Sequence, residues 1–358
     1  MKYYYILLIF TALMLRWAQR YDLDRRPNEL SIGRVKHSQA TLIIFIIVAF
    51  ALIFMSAMRY GVGADFWSYY GGYSKYTSYF LDSLVHLDEP GIKLIYIIAE
   101  FVSGDSQAPI ALCAIITLGL ILIVLYRNTD RLFQATMLFL FLGVWSHSFN
   151  AIRQFLAVAI VFTGFRFIRE RKFWRYALLV FIAFLFHKTA MLMIIPYFIV
   201  HNKISQRNIA LLIVGTVVVL LTYDMLFDIA GDITGSTHLD SEYAQRSVNI
   251  LRIAVSVAPA IFAIVINYHK EKDESTTFYM NLLIIHATIM VMASGSTYFG
   301  RIGSYTLPFL CIAMPEIFKK IPKKNKFIIM VAIYALYLVY FLYDTKTACG
   351  NFYWIFIR

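Results

Sequence analysis

Ten side chains in this sequence are of types that could bind an anion or move a proton. Arg59 and Asp65 follow one apolar stretch, and Asn150, Arg153 and Gln154 open another. His187 and Lys188 interrupt a third, Arg252 begins a fourth, and Tyr298 and Arg301 lie between two more. Guanidinium groups grip phosphate oxygens bidentately, and several together suit a diphosphate. A histidine that is neutral at working pH can accept a proton from a hydroxyl, as can an aspartate. The setting makes these residues informative. From Leu132 to Ile168 the ionisable side chains are His147, Arg153 and Arg166 alone, and an arginine within membrane sequence is costly unless it has a use.

Each residue also has a plainer reading. Arg59 and Arg301 could be anchors that snorkel to the interface, and Arg153 could staple a helix bundle. His187 could be a satisfied core histidine, although its neighbour Lys188 argues against a dry site. Asp65 could merely pair Arg59. His147 reads as a turn residue, and Arg246 as a solvated charge. The tyrosines over 69–79 suit either an interfacial belt or a surface on which sugars stack.

The elements that must hold these residues are membrane helices. The chain is 60% hydrophobic and 15% charged, a composition that fits an all-α polytopic membrane protein and no soluble domain of this length. The formal net charge of +12 is accounted for by basic cytoplasmic loops, which leaves nucleic acid out as a partner. Cys113, Cys311 and Cys349 are isolated, without metal or disulfide spacing. The first apolar stretch, Tyr3 to Leu15, is followed by Arg16 and Arg20 with no A-x-A site, and reads as a retained span.

Ten spans are expected, over 3–19, 41–58, 108–126, 132–149, 151–168, 209–227, 249–267, 278–297, 302–318 and 327–343. Residues 132–168 would form a helix of about 55 Å, enough for two crossings of roughly 30 Å, so a turn is expected near Ser146 to Asn150. Arg153 then falls in the first turn of the second helix, and Asn150, Arg153 and Gln154 would share a face. The segment 176–200 is long enough for one crossing. One crossing, however, would place Lys319, Lys320, Lys323, Lys324 and Lys326 outside, against the positive-inside rule. A re-entrant hairpin or two very short helices, with His187 and Lys188 at the tip, reconciles every later loop. Loops 20–40, 127–131, 166–175, 201–207, 269–274 and 319–326 are then cytoplasmic. The loop 59–107, with short helices of its own, and the loop 228–242 are external. No internal repeat and no soluble domain are evident.

Taken in order, the motifs resemble the EpsG-like family of bacterial membrane proteins, relatives of the Wzy O-antigen polymerases. They are R-x-G-V-G-x-D at Arg59 to Asp65 with Tyr69 and Tyr70 following, E-P-G at Glu89 to Gly91, N-x-I-R-Q at Asn150 to Gln154, and F-H-K-T-A at Phe186 to Ala190. This resemblance covers about the first two hundred residues. The C-terminal half resembles the family as a hydrophobic pattern, with a polar turn at Tyr298 to Arg301. The resemblance implies a GT-C-like helical architecture in the bacterial cytoplasmic membrane. It also implies assembly of a capsule, exopolysaccharide or O-antigen on the external face.

The substrates so implied are undecaprenyl-diphosphate-linked oligosaccharides in the lipid bilayer, and the partners are chain-length regulators and flippases. On this reading the reaction is glycosyl transfer from a lipid-linked donor. Arg153, Arg301 and then Arg59 contact the diphosphate, and Asn150, Gln154, Lys188, Arg252 and Tyr298 contact substrate. His187 or Asp65 is the base, with His187 preferred. No D-x-D motif and no phosphate loop is present, so neither a metal nor another cofactor is called for. Two other classes fit some of the same residues. A flippase would bind the diphosphate without reacting, but usually shows repeat symmetry. An acyltransferase would use His187 as base, but has no need of the external arginines.

Overall fold

The computed structural model describes residues 1–23, 35, 37–72, 80–203, 208, 212–222, 248–268 and 273–357. Among the described residues the chain is helical, and its only β pairing is one isolated bridge between Arg59 and Trp354. Helices occur at each of the ten expected spans, and the protein is an all-α polytopic membrane protein. Four helices are long and apolar enough to cross a membrane by length and composition: Gln39–Ala57, Ala108–Asn128, Glu274–Met292 and Lys323–Cys349. The expected external loop 228–242, with Ser236, lies outside the described residues, as do Arg246, tyrosines 73, 76 and 79 and most of the loop 20–40.

The chain divides into two compact units, Met1–Met191 with Met330–Arg358, and Leu192–Ile329. In the first, Lys2–Leu23 packs on Gln39–Ala57, which packs on Ala108–Asn128, which packs on Ile152–Thr163, which packs on Phe173–Phe184. The helix Gln39–Ala57 begins at Ser38, whose hydroxyl accepts from the Thr41 amide. A carboxylate beneath that cap, Asp22, accepts from the Ser38 amide and the Thr41 hydroxyl and lies 2.9 Å from His37 Nδ1. The His37 Nε2 is within 3.1 Å of the Tyr126 and Thr129 carbonyls. Acceptors thus meet both ring nitrogens, an arrangement satisfied when both carry protons. Three helix ends are tied together by this one ring.

The expected pair of crossings over 132–168 is segmented more finely than a simple hairpin. Leu132–Phe141 stops at Gly143, which adopts φ +77°, a left-handed conformation that side chains disfavour. A Cβ there would lie 2.7 Å from the Asp344 carboxylate. Val144–His147 forms one short helix, a turn follows over 148–151, and Ile152–Thr163 begins after it. The turn therefore falls where chain length requires it. The segment 176–200 is likewise broken. Phe173–Phe184 ends before Leu185 to His187, and a 3-10 helix runs over Lys188–Met193. The loop 59–107 carries helices Phe66–Tyr70, Phe80–Val85 and Pro90–Val102.

In the second unit, Glu274–Met292 packs between Ile250–Ile266 and Thr297–Phe318. Its approach to the latter is close because Gly303 carries no side chain, and a Cβ there would overlap the Met290 thioether. Small residues at such crossings let membrane helices come together. The His286 Nδ1 lies 2.7 Å from the Thr306 hydroxyl across the same contact, and Asn281 donates to the Val200 and Asn202 carbonyls.

Candidate active site around Glu89

Three chemistry-bearing residues of the first unit, Arg153, His187 and Lys188, gather on a residue that the sequence offers only as part of a turn. Asp88-Glu89-Pro90-Gly91 starts the helix Pro90–Val102, with proline at the first position, where its missing N–H costs nothing. Glu89 has φ +49°, in the left-handed region, and its side chain does not cap its own helix. Instead Glu89 reaches across to two other segments. Its Oε2 accepts from an Arg153 guanidinium nitrogen at 2.5 Å, and its Oε1 lies 2.7 Å from His187 Nδ1 and accepts from the Lys188 amide at 3.3 Å. The Lys188 ammonium pairs with Asp88 at 3.0 Å. Burial works against charge on Glu89, but the His187 hydrogen bond and then the Arg153 guanidinium outweigh it and hold the carboxyl below the usual carboxylate range. At neutral pH the group is therefore an ionised acceptor.

Backbone docking holds the two sides together. The Gly91 amide donates to the Leu185 carbonyl at 2.8 Å, and a Cβ on Gly91 would come within 2.8 Å of the Phe186 ring. E-P-G and F-H are thus two halves of one contact, with Ile92, Ile95, Tyr96 and Ile152 buried behind it. We expect Gly91→Ala to push Phe186 and with it His187 out of place. Overpacking of this kind costs about 1–3 kcal/mol, so purified Gly91→Ala protein should melt below the wild type in the same detergent. An unchanged melting temperature would show that the ring moves aside without cost.

Arg153 stands in the first turn of Ile152–Thr163, as expected, with its side chain 36% exposed. Arg59 lies apart from this cluster: it is 1% exposed, and its guanidinium donates to the Ser56 carbonyl at 2.5 Å and the Phe149 carbonyl at 3.4 Å. Its guanidinium carbon also sits 4.8 Å from the centre of the Phe149 ring. The physical reason is its place just past the end of Gln39–Ala57, where a cation satisfies a last-turn carbonyl better by folding back than by facing solvent. Asn150 is also turned inward. It lies in the turn before the helix and so shares no helical face with Arg153 and Gln154. Its Oδ1 accepts from the Ala64 amide at 2.7 Å, and its Nδ2 donates to the Ala348 carbonyl at 3.1 Å. Gly63, at φ +100°, lets this turn approach, since a Cβ would lie 2.8 Å from Asn150 Oδ1. The R-x-G-V-G and N-x-I-R-Q motifs therefore brace one another.

The remaining residues are distributed as follows. Gln154 is buried. Asp65 is exposed, precedes the helix Phe66–Tyr70 without capping it, and makes no ion pair with Arg59 among the described residues. Tyr69 is buried with its carbonyl accepting from the Tyr96 hydroxyl, and the half-buried Tyr70 stacks on Phe66 against the same core. Trp67 beside them is exposed. Arg252, Tyr298 and Arg301 belong to the second unit, where the Arg301 guanidinium sits 5.7 Å from the Tyr298 ring. Cys113, Cys311 and Cys349 are buried free thiols.

His147, expected as a turn residue, is a buried partner of Asp344. Its Nε2 lies 2.9 Å from Asp344 Oδ1, while the Ser146 and Tyr340 hydroxyls donate to the same carboxylate. The signal for this pair was an acid inside the apolar helix Lys323–Cys349. For Glu89 the signal was an acid followed at once by Pro-Gly at the start of an amphipathic run.

No curated protein and no solved structure matches the chain. The sequence model of the EpsG family matches residues 42–355, extending through the C-terminal half as well as across all four motifs. The chain belongs to the EpsG family, a membership that indicates a polysaccharide-polymerase-like role.

Proposed function

We propose that this protein is a polymerase that joins undecaprenyl-diphosphate-linked oligosaccharide repeat units on the external face of the bacterial cytoplasmic membrane. The observation that supports this most is the meeting of Arg153 from one motif with His187 and the Lys188 amide from another around one buried carboxylate, with the Arg153 and Lys188 side chains partly exposed. In the reaction, the acceptor hydroxyl oxygen bonds to the anomeric carbon of the donor, and the bond from that carbon to the diphosphate breaks. The electron pair leaves on the diphosphate, and the hydroxyl proton passes to a base. Arg153 and Lys188 stabilise the leaving charge, which is larger in the transition state than before it. His187 is the proposed base, with Asp65 as the alternative. For Arg252, Tyr298 and Arg301 the proposal is binding of anionic or sugar groups within their own unit.

The deciding experiment incubates purified protein with one lipid-linked repeat unit and resolves the products by size. A ladder of lengthened glycans supports the polymerase. Translocation across vesicles without a ladder would replace it with a flippase. The external placement has its own test in cysteine labelling of intact cells, in a background lacking the native cysteines. We expect an impermeant reagent to label position 236 and not position 323. The reverse pattern would turn the Glu89 cluster toward the cytoplasm.

A further inference from the structure

Glu89 makes the contacts of an orienting group, and no motif reading gives it a role. We infer that Glu89 is the positioning residue for His187: it accepts the proton on Nδ1 and so leaves the lone pair on Nε2 to take the acceptor's proton. The inference rests on the polymerase reading for its chemistry, but on three observations for its geometry. First, the carboxylate is ionised and can only accept, so the 2.7 Å contact fixes Nδ1 as the donor. Second, the ring has little freedom to choose otherwise. The His187 amide is held by the Ala183 carbonyl, the Lys188 amide by the same Glu89 oxygen, and the preceding Leu185 carbonyl by Gly91. Third, Glu89 accepts an unfavourable left-handed backbone and forgoes capping its own helix in order to reach across. An acid at a helix start ordinarily caps it, and strain that persists at one residue marks a place where surrounding contacts require it. The same logic orients the histidine of hydrolytic triads, where a carboxylate holds one tautomer and is not itself protonated.

Of the two Glu89 oxygens, Oε2 serves Arg153 while Oε1 serves His187 and, more distantly, the Lys188 amide, and this gives the test. In Glu89→Gln, Arg153 offers only donors and claims the amide oxygen. The amide NH2 is then left facing Nδ1, which must become an acceptor, and the ring proton moves to Nε2. The base is blocked while Arg153 keeps its partner. We would label the histidines of the full-length protein with nitrogen-15, keep the protein in lipid nanodiscs at alkaline pH, and read the tautomer from the nitrogen shifts. The His187 signals are assigned by their loss in His187→Gln.

The expected result is a proton on Nδ1 in the wild type and on Nε2 in Glu89→Gln. In the ladder assay kcat should fall by on the order of 10²-fold or more, with little change in the KM for donor. A wild-type ring protonated on Nε2, or the same tautomer in both proteins, overturns the inference. If Glu89→Gln does not accumulate, the wild-type tautomer decides alone. If wild-type protein makes no ladder, the polymerase reading fails, while the tautomer still judges the role of Glu89.

Discussion

Arg153→Lys should remove most polymer while the protein still accumulates in the membrane. On the proposed reading the guanidinium has two jobs: one nitrogen is held by Glu89 Oε2, and the side chain, 36% exposed, also meets the phosphate of the donor. A lysine keeps the charge but presents a single ammonium, which cannot hold a carboxylate on one side and grip a phosphate bidentately on the other. A hydrogen bond to a charged group contributes about 1.5–3 kcal/mol, which corresponds to roughly 10- to 150-fold in donor affinity. Arg153→Ala should go further, because it removes the proposed phosphate contact and also leaves the Glu89 carboxylate without its guanidinium partner. Polymer measured in cells, with membrane protein measured alongside, reads both variants. Near-normal polymer from Arg153→Lys would leave Arg153 as an anchor for Glu89 and nothing more.

Much of this arrangement was legible in the sequence, and what was not has physical reasons. The turn between 132 and 168 followed from length alone, because a helix of that extent cannot remain in one crossing. The break at His187 followed from the charge of later loops, which made a single crossing inconsistent. Arg153 was marked as a charge in apolar sequence, and it does lie in the cluster. Arg59 carried the same mark and does not, because sequence shows that a cation is near a helix end without showing which way it folds. The Ser56 and Phe149 carbonyls decide that, and backbone carbonyls leave no trace in residue type.

The glycine at 63 permits a close approach without naming what approaches, which is the chain's own turn at Phe149 and Asn150. Glu89 was hidden by its neighbours, since an acid before Pro-Gly reads as turn chemistry. The His147–Asp344 pair was hidden by a separation of 197 positions along the chain. Local pattern fixes helices and breaks well, but it cannot assign partners between segments far apart in the chain.

His187→Ala should bind the lipid-linked donor nearly as well as the wild type and fail to elongate it. The helix Phe173–Phe184 is twelve residues long and rises about 18 Å from its basic start, which on the proposed topology would put the histidine that follows near mid-membrane. Irregular backbone at that depth is tolerated where it is buried in protein or lines a watery cavity. On the present reading the cavity opens to the external side, where the lipid-linked acceptor lies. Removing the imidazole leaves the Arg153–Glu89 ion pair in place, so the diphosphate contacts should survive. The loss should fall on the chemical step, by about 10²–10⁴-fold, the usual contribution of a general base. Donor binding followed with a labelled lipid diphosphate, beside the ladder assay, separates the two effects. Asp65→Asn is the companion measurement, since Asp65 is exposed and outside the Glu89 cluster, and it should retain polymerisation. Wild-type elongation by His187→Ala together with its loss in Asp65→Asn would transfer the base to Asp65. Loss of donor binding in His187→Ala would instead make the imidazole a ligand contact, with Glu89 holding it for binding and not for proton transfer.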